Sequence, residues 1–236
     1  MIAQQPLCQR PVEIPRWRPP GGKRSGRERL PSVELDRRTM TRPAASVAIN
    51  DLVRKKPILV VVSGPPGAGK TTLAHRLARR IGCPAICRDE IKEGMVHAVG
   101  DFIAAPTDEL TLRTLPTFFQ VLELLLTAGV TTVAEAAFQD RLWRPHLRPL
   151  GELAEIRVVH CQIAAETAWD RIQQRQGESP TRRAHADAYL IDRHVHTVGH
   201  DSFDRVRLDV PECDVDTSDG YRPGLDEIVA FVNAGR

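Results

Sequence analysis

A glycine-rich turn, GPPGAGKTT, is the part of the 236-residue sequence whose residue types are best suited to chemistry. Gly64, Gly69, Lys70 and Thr71 satisfy the Walker A spacing G-x-x-x-x-G-K-[ST], and Gly67 adds a third glycine inside it. Glycines allow successive backbone N–H groups to point at phosphate oxygens. A lysine adds positive charge there, and a threonine hydroxyl can bind Mg²⁺. The turn therefore predicts a site for the phosphates of a nucleotide.

The stretches on either side of the turn fit this interpretation. The apolar, β-branched run PILVVVS precedes it and predicts a strand covered on both faces. The following KTTLAHRLARRIG places Leu73, Leu77 and Ile81 on one stripe of a helix, which Gly82 would end. The N-terminus of such a helix is itself favourable for anions. The predicted phosphate-binding residues are Gly64, Pro65, Pro66, Gly67, Ala68, Gly69, Lys70, Thr71 and Thr72.

Strand-like and helix-like stretches alternate over residues 57–235. Four further strands are predicted at CPAIC, VTTVAEAAF, EIRVVHCQ and ECDVDT, with helical patterns between and after them. This alternation is typical of a parallel sheet with helices on both faces, and it predicts one α/β domain. The chain carries no Asn-Lys-x-Asp base-reading motif of a GTPase. It also leaves no room for the second helical domain of a ring-forming ATPase.

Two carboxylates are predicted at the ends of neighbouring strands. Asp89 follows the second strand and Glu135 ends the third, where open α/β sheets bind their ligands. Asp89 could instead be the N-cap of the helix that begins in DEIKEGM. An unpaired Glu135 would be costly to bury, so it is expected to hold Mg²⁺ through water or to contact an acceptor.

The segments GPPGAGKTTLAHRLA, CPAICRDEIKEGM and TTVAEAAF together resemble the small phosphate-loop kinases. This group includes the kinase domain of polynucleotide kinase, chloramphenicol phosphotransferase, the zeta toxins and bacterial AAA-family ATPases. The resemblance covers roughly residues 57–235. It implies a P-loop NTPase fold, a three-layer sandwich around a five-stranded parallel sheet of order 2-3-1-4-5.

The resemblance also implies an activity. It suggests a kinase that binds ATP and Mg²⁺ and transfers the γ-phosphate to a hydroxyl group of a small molecule or nucleotide. Lys70 would then act on the phosphates, and Asp89 would orient or deprotonate the acceptor hydroxyl. Thr71 and Glu135 would hold Mg²⁺, although Asp is commoner than Glu in that position of the family.

A lid around residues 171–187 is expected from the same resemblance. It would supply an arginine to the transferring phosphoryl group, with Arg175 preferred and Arg171 second. Thr217 and Ser218, after the last strand, would lie near the adenine.

Two other functions stay open. One is a polynucleotide 5′-hydroxyl kinase, although the mildly acidic body of the chain gives nucleic-acid binding no support. The other is an ATP-dependent switch or ATPase that acts through a protein partner not identified by the sequence. A metal site at His194, His196 and His200 is not favoured, because this spacing does not place the three residues on one helix face.

Composition sets the remaining expectations. Residues 1–50 hold ten Lys/Arg and four Asp/Glu, a net charge of +6, and seven of the 18 prolines, which predicts a basic, disordered extension. It could contact nucleic acid or membrane, could have no role, or could precede a true start at Met40. No apolar run is long enough to span a bilayer, and five cysteines at unrelated spacings predict reduced thiols. These features favour a cytoplasmic protein.

Overall fold

The computed structural model describes residues 55–100, 102–105, 108–175 and 203–236. The predictions for the basic extension 1–50, for most of the lid 171–187 and for the three histidines fall outside this part of the chain.

Five strands and six α-helices alternate along the described part of the chain. The strands are β1 Ile58–Ser63, β2 Ala85–Cys87, β3 Thr132–Glu135, β4 Glu155–Gln162 and β5 Glu212–Asp216. The helices are α1 Lys70–Ile81, α2 Arg88–Val99, α3 Glu109–Thr127, α4 Asp140–Leu147, α5 Ala165–Arg175 and α6 Leu225–Asn233, and a short 3-10 helix, Arg148–Glu152, follows α4.

The strands form one parallel sheet in the order β2-β3-β1-β4-β5, which confirms the predicted topology. Strand β1 lies in the middle, and each of its residues is at most 1% exposed. A strand covered on both faces needs an unbroken apolar run, which is what ILVVVS supplies.

Each face of the sheet is covered by its own apolar cluster. Helices α1 and α6 pack on one face, with Leu73, Leu77 and Ile228 fully buried. Helices α3 and α4 cover the other, where Phe118, Phe138 and Trp143 contact one another. The three layers are the sandwich expected from the alternating pattern.

One local prediction is wrong. Helix α2 begins at Arg88, its N-cap is Cys87, and no side chain caps it. Asp89 therefore lies in the first turn and is not the N-cap. Strand β2 ends at Cys87 and runs into the helix without a connecting turn, so the last strand residue occupies the capping position.

Four of the described cysteines are free in the structure, namely Cys83, Cys87, Cys161 and Cys213, and the prediction of reduced thiols stays a prediction. Among the described helices, none combines the length and the apolar character that crossing a membrane requires.

Candidate active site

The glycine-rich turn joins β1 to α1 in a conformation that only glycine adopts without strain. Gly64 and Gly67 have φ angles of 151° and 81°. A Cβ atom on Gly64 would lie 2.5 Å from the carbonyl oxygen of Cys161, and one on Gly67 would lie 2.5 Å from that of Ala168. The turn is thus held against β4 and α5, and its glycines are required by both backbone angle and space.

Lys70 is the first residue of α1 and its side chain folds back over the turn. Its ammonium Nζ donates a hydrogen bond to the carbonyl oxygen of Pro65 at 3.0 Å. This arrangement keeps the positive charge above the loop amides, where phosphate oxygens bind in loops of this kind.

Thr71 and Glu135, which were predicted to share a metal, are in direct contact. The Thr71 hydroxyl donates to Glu135 Oε2 at 3.0 Å. Glu135 is only 3% exposed. Strand β3 lies between β1 and β2, so Glu135 has Val62 of β1 on one side and Cys87 of β2 on the other. Strand order therefore brings together two residues that are 64 positions apart in sequence.

Burial raises the pKa of the Glu135 carboxyl above its usual range. The Lys70 charge and the Thr71 hydrogen bond act against this, whereas Asp89 raises the pKa further. A carboxylate held in an apolar position next to a second carboxylate favours a cation beside it. The oxygen atoms of Thr71 and Glu135 suit Mg²⁺, which prefers hard oxygen ligands.

Asp89 lies in the first turn of α2, at the edge of the same group of residues. Its carboxylate is about half exposed and accepts a 2.8 Å hydrogen bond from Arg88 Nη1. The Arg88 side chain is only 19% exposed. Asp89 is close enough to Glu135 to affect its pKa, so the two predicted carboxylates share one region of the molecule.

A cavity of about 330 Å³ opens beside the turn, between α1, α5 and the segment after β5. Arg171 lies in its wall, and its Nη2 donates to the carbonyl oxygens of Thr217 at 2.8 Å and Ser218 at 2.9 Å. The Thr217 hydroxyl donates to the carbonyl oxygen of Ala68 at 3.0 Å, which ties the end of β5 to the turn.

Most of the predicted site residues meet in this region. The turn, Asp89 and Glu135 lie at one end, and Arg171 and Thr217 line the adjacent cavity. Ser218 contributes its carbonyl group to Arg171. Arg175 is the last residue of α5, and its side chain belongs to the part of the chain that is not described.

Four residues that line the cavity were not predicted as site residues, namely Arg76, Gln174, Gly220 and Tyr221. The Arg76 guanidinium lies over the Tyr221 ring at 5.5 Å. Arg76 is four positions after Thr72, so the helical period could have placed it on the face of α1 that carries the turn. Nothing in the sequence shows that Tyr221 meets it.

A family model described as an AAA domain matches residues 59–198, more than half of the chain. The chain therefore belongs to this family. The sheet order is also the one that the resemblance to small phosphate-loop kinases implied.

Two similar proteins carry kinase names. A protein of Pyrococcus furiosus named "Putative adenylate kinase" is 36% identical over 55 residues, and the match spans 22% of this chain and about a third of that protein (31%). The structure titled "a putative kinase" from Chloroflexus aurantiacus has a TM-score of 0.62, 24% identity, and coverage of 75% of this chain and 97% of that one.

A kinase of known substrate has the same fold. The APS kinase of Mycobacterium tuberculosis, solved with AMPPNP and APS, superposes with a TM-score of 0.54 over 76% of this chain and 99% of that chain, at 15% identity. At this identity the likeness shows the fold alone.

Proposed function

We propose that this protein is an ATP-dependent kinase that transfers the γ-phosphate of ATP to a hydroxyl group of a small molecule or nucleotide. The observation that carries the proposal is the 3.0 Å contact between Thr71 and the buried Glu135, next to a complete phosphate loop. A strand–loop–helix alone would support phosphate binding, but a buried carboxylate facing the loop threonine is what a Mg·ATP site requires.

The turn and Lys70 would hold the phosphates of ATP. The Lys70 Nζ would exchange its present bond to Pro65 for the β- and γ-phosphate oxygens. Thr71 and Glu135 would bind Mg²⁺, Glu135 through water, and the bound ion would neutralise charge on the phosphate oxygens. In-line transfer needs little covalent chemistry from the protein, so positioning and charge are the main contributions.

The cavity beside the turn would receive the nucleoside part of ATP. Arg171 and Tyr221 offer a guanidinium and an aromatic face, and the turn at Thr217–Ser218 keeps Arg171 in place. These contacts support Arg171 as a nucleotide-binding residue. Arg175, one turn further along α5, stays our candidate for the arginine that meets the transferring phosphoryl group.

Asp89 would act on the acceptor. It lies beyond the end of β2, where its carboxylate is half exposed and sits beside the Arg88 guanidinium. A carboxylate there could take the proton of a hydroxyl group or orient it for attack.

The proposal is tested by incubating the protein with labelled ATP and Mg²⁺ in the presence of nucleosides, oligonucleotides, sugars and aminoglycosides. We expect label transfer to one class, and loss of transfer in Lys70→Ala. Asp89→Asn should reduce transfer by ~10²–10⁴-fold, the range for a lost general base, with ATP affinity by calorimetry hardly changed.

Other outcomes separate the alternatives. Transfer to oligonucleotide 5′ ends alone would make the protein a polynucleotide kinase. ATP turnover that responds to no hydroxyl compound would contradict the kinase proposal and favour a switch. Normal transfer by Asp89→Asn would remove Asp89 from the mechanism and direct attention to Glu135.

A further inference from the structure

Three side chains of different chemistry meet on the side of α1 that faces β2 and α2. His75 lies on α1, one helical turn after Thr71, Cys87 ends β2, and Glu90 is in the first turn of α2. One ligand atom of each, the His75 Nε2, the Cys87 Sγ and a Glu90 carboxylate oxygen, lies within 4.8 Å of both others. The proposed kinase mechanism uses none of the three.

One separation already matches the value that a tetrahedral ion imposes, and a second would have to open by about 0.7 Å. His75 Nε2 is 3.7 Å from Cys87 Sγ. Zinc–ligand bond lengths give about 3.6 Å for a sulfur–nitrogen edge. His75 Nε2 and Glu90 Oε1 are 2.6 Å apart, joined by a shared hydrogen. An ion that replaced this hydrogen would need that edge to open to about 3.3 Å, a movement of a size that two half-exposed side chains can make.

The donor set selects the kind of metal. A thiolate, an imidazole and a carboxylate form the mixed sulfur, nitrogen and oxygen set that suits Zn²⁺. Mg²⁺ prefers oxygen ligands alone, so it would go to Thr71 and Glu135 instead. The two positions are thus distinguished by ligand type although they are close in the fold.

The position also meets the other requirements of a metal site. Cys87 is 2% exposed, so its sulfur is sheltered, while the His75 and Glu90 side chains are 40% and 45% exposed and leave a path from solvent. With three protein ligands, a fourth position is left for water. The ligands come from three consecutive elements, so a bound ion would hold the start of α2 against α1.

We propose that His75, Cys87 and Glu90 form a binding site for a Zn²⁺-class transition-metal ion. Binding releases the Cys87 S–H proton to solvent, and the hydrogen between His75 Nε2 and Glu90 moves to His75 Nδ1. The resulting thiolate, the freed His75 Nε2 and a Glu90 oxygen then coordinate the ion. The proposal does not need the kinase activity, since its three ligands take no part in the proposed phosphoryl transfer, although Cys87 and Glu90 lie close enough to Glu135 to affect one another.

The test uses the purified full-length protein, freed of metal, and titrates Co²⁺ in the presence of excess Mg²⁺. We expect one equivalent to produce the near-ultraviolet charge-transfer band of a cobalt–thiolate bond. Cys87→Ser should abolish the band, whereas Cys83→Ser, which changes a partly buried thiol directly after the cap of α1, should retain it. His75→Gln and Glu90→Gln should each weaken Zn²⁺ affinity at least about tenfold by calorimetry.

The melting temperature provides a second test that does not depend on cobalt absorption. Zn²⁺ at ~100 times its Kd should raise the Tm of the wild type by about 5–10 °C and should leave Cys87→Ser unchanged. Circular dichroism of the unloaded variants checks their folding, and the His75 and Glu90 variants provide the answer if Cys87→Ser does not fold. The proposal is overturned if no thiolate band appears, if Cys87→Ser keeps it, or if replacing His194, His196 and His200 by Ala removes the binding.

Discussion

Glu135 shows how a buried charge at a site affects both stability and activity. Its carboxyl is 3% exposed, and burial raises its pKa. A raised carboxyl pKa means that the folded state keeps its proton to higher pH than the unfolded state does. The contribution of Glu135 to the free energy of unfolding therefore decreases as the pH rises above the ordinary value of 4.5 for Glu.

Glu135→Gln should consequently stabilise the protein and inactivate it. The amide keeps the shape and the contact to Thr71 without a buried charge, so in the absence of Mg²⁺ and nucleotide we expect a higher free energy of unfolding at pH 7, by ~1 kcal/mol or more. Mg²⁺-dependent turnover should fall by ~100-fold or more, as for other lost electrostatic partners.

Melting temperatures between pH 4 and pH 8 check this prediction. The Tm of Glu135→Gln should exceed that of the wild type by an amount that grows with pH. The control is Glu123→Gln, which changes an exposed residue on α3 and should show no such trend. If the difference in Tm between Glu135→Gln and the wild type did not change with pH, ionising Glu135 would not destabilise the unliganded protein.

The conformation of the phosphate loop depends on how closely the neighbouring elements α5 and β4 approach it. In Gly67→Ala the new Cβ would lie 2.5 Å from the Ala168 carbonyl oxygen, at a residue whose φ is already 81°. The loop and α5 must then separate, so we expect ATP affinity to fall by ~100-fold or more. Gly82, at the end of α1, has the same φ of 81° with nothing within 4 Å.

Gly82→Ala is therefore a matched control. It should lower the free energy of unfolding by about 1 kcal/mol through backbone strain alone and leave ATP affinity unchanged. Calorimetric titration of both variants with ATP and Mg²⁺ makes the comparison. Equal affinities would show that the contact with Ala168 does not shape the loop.

The junction between α2 and α3 depends on one ion pair. Asp108 is the N-cap of α3, where its Oδ1 accepts from the Thr111 N–H at 2.6 Å and its Oδ2 accepts from Lys92 Nζ at 2.8 Å. The Lys92 and Asp108 side chains are 4% and 8% exposed. Burial acts to raise the pKa of Asp108, but the Lys92 hydrogen bond and charge and two backbone bonds outweigh it and lower the pKa to about 2.

Asp108→Asn should destabilise the protein by ~2–3 kcal/mol, since asparagine keeps the cap but leaves the Lys92 charge buried without its partner. In the wild type the stabilisation is fully present above pH 3.8 and is lost as the pH falls towards 2, because the carboxylate takes up its proton in that interval. Urea unfolding at pH 7 and pH 2 measures both effects.

The double variant Lys92→Met/Asp108→Asn is the control for that pair. It should regain part of the lost stability, because the unpaired charge is removed. If it is as unstable as Asp108→Asn, the loss comes from the cap and not from the ion pair.

For the whole molecule, we expect the basic segment 1–39 to add little stability, because its composition offers too little apolar surface for a core. Among the described residues, two apolar clusters cover the faces of the sheet. A protein shortened to begin at Met40 should therefore have the same Tm within about 2 °C and the same rate of label transfer from ATP. A clear decrease in either quantity would give the basic segment a role in folding or in catalysis.

Much of this architecture was predictable because it depends on local pattern. The unbroken apolar run of β1 and the helical stripe of Leu73 and Leu77 identify their elements without reference to the rest of the chain. The glycine and lysine spacing of the turn identifies a phosphate site for the same reason, since one short segment holds all its parts. The strand order came from family resemblance, and the sheet confirms it.

Residue order alone was thus enough to predict the elements, the phosphate loop and the two carboxylates at strand ends. The contacts between distant residues became known only from the folded arrangement. Strand order places Glu135 against Thr71, the turn after β5 fixes Arg171, and α1, β2 and α2 bring His75, Cys87 and Glu90 together. Such contacts depend on how elements pair and pack across the sheet, and no periodicity within a single segment records that pairing.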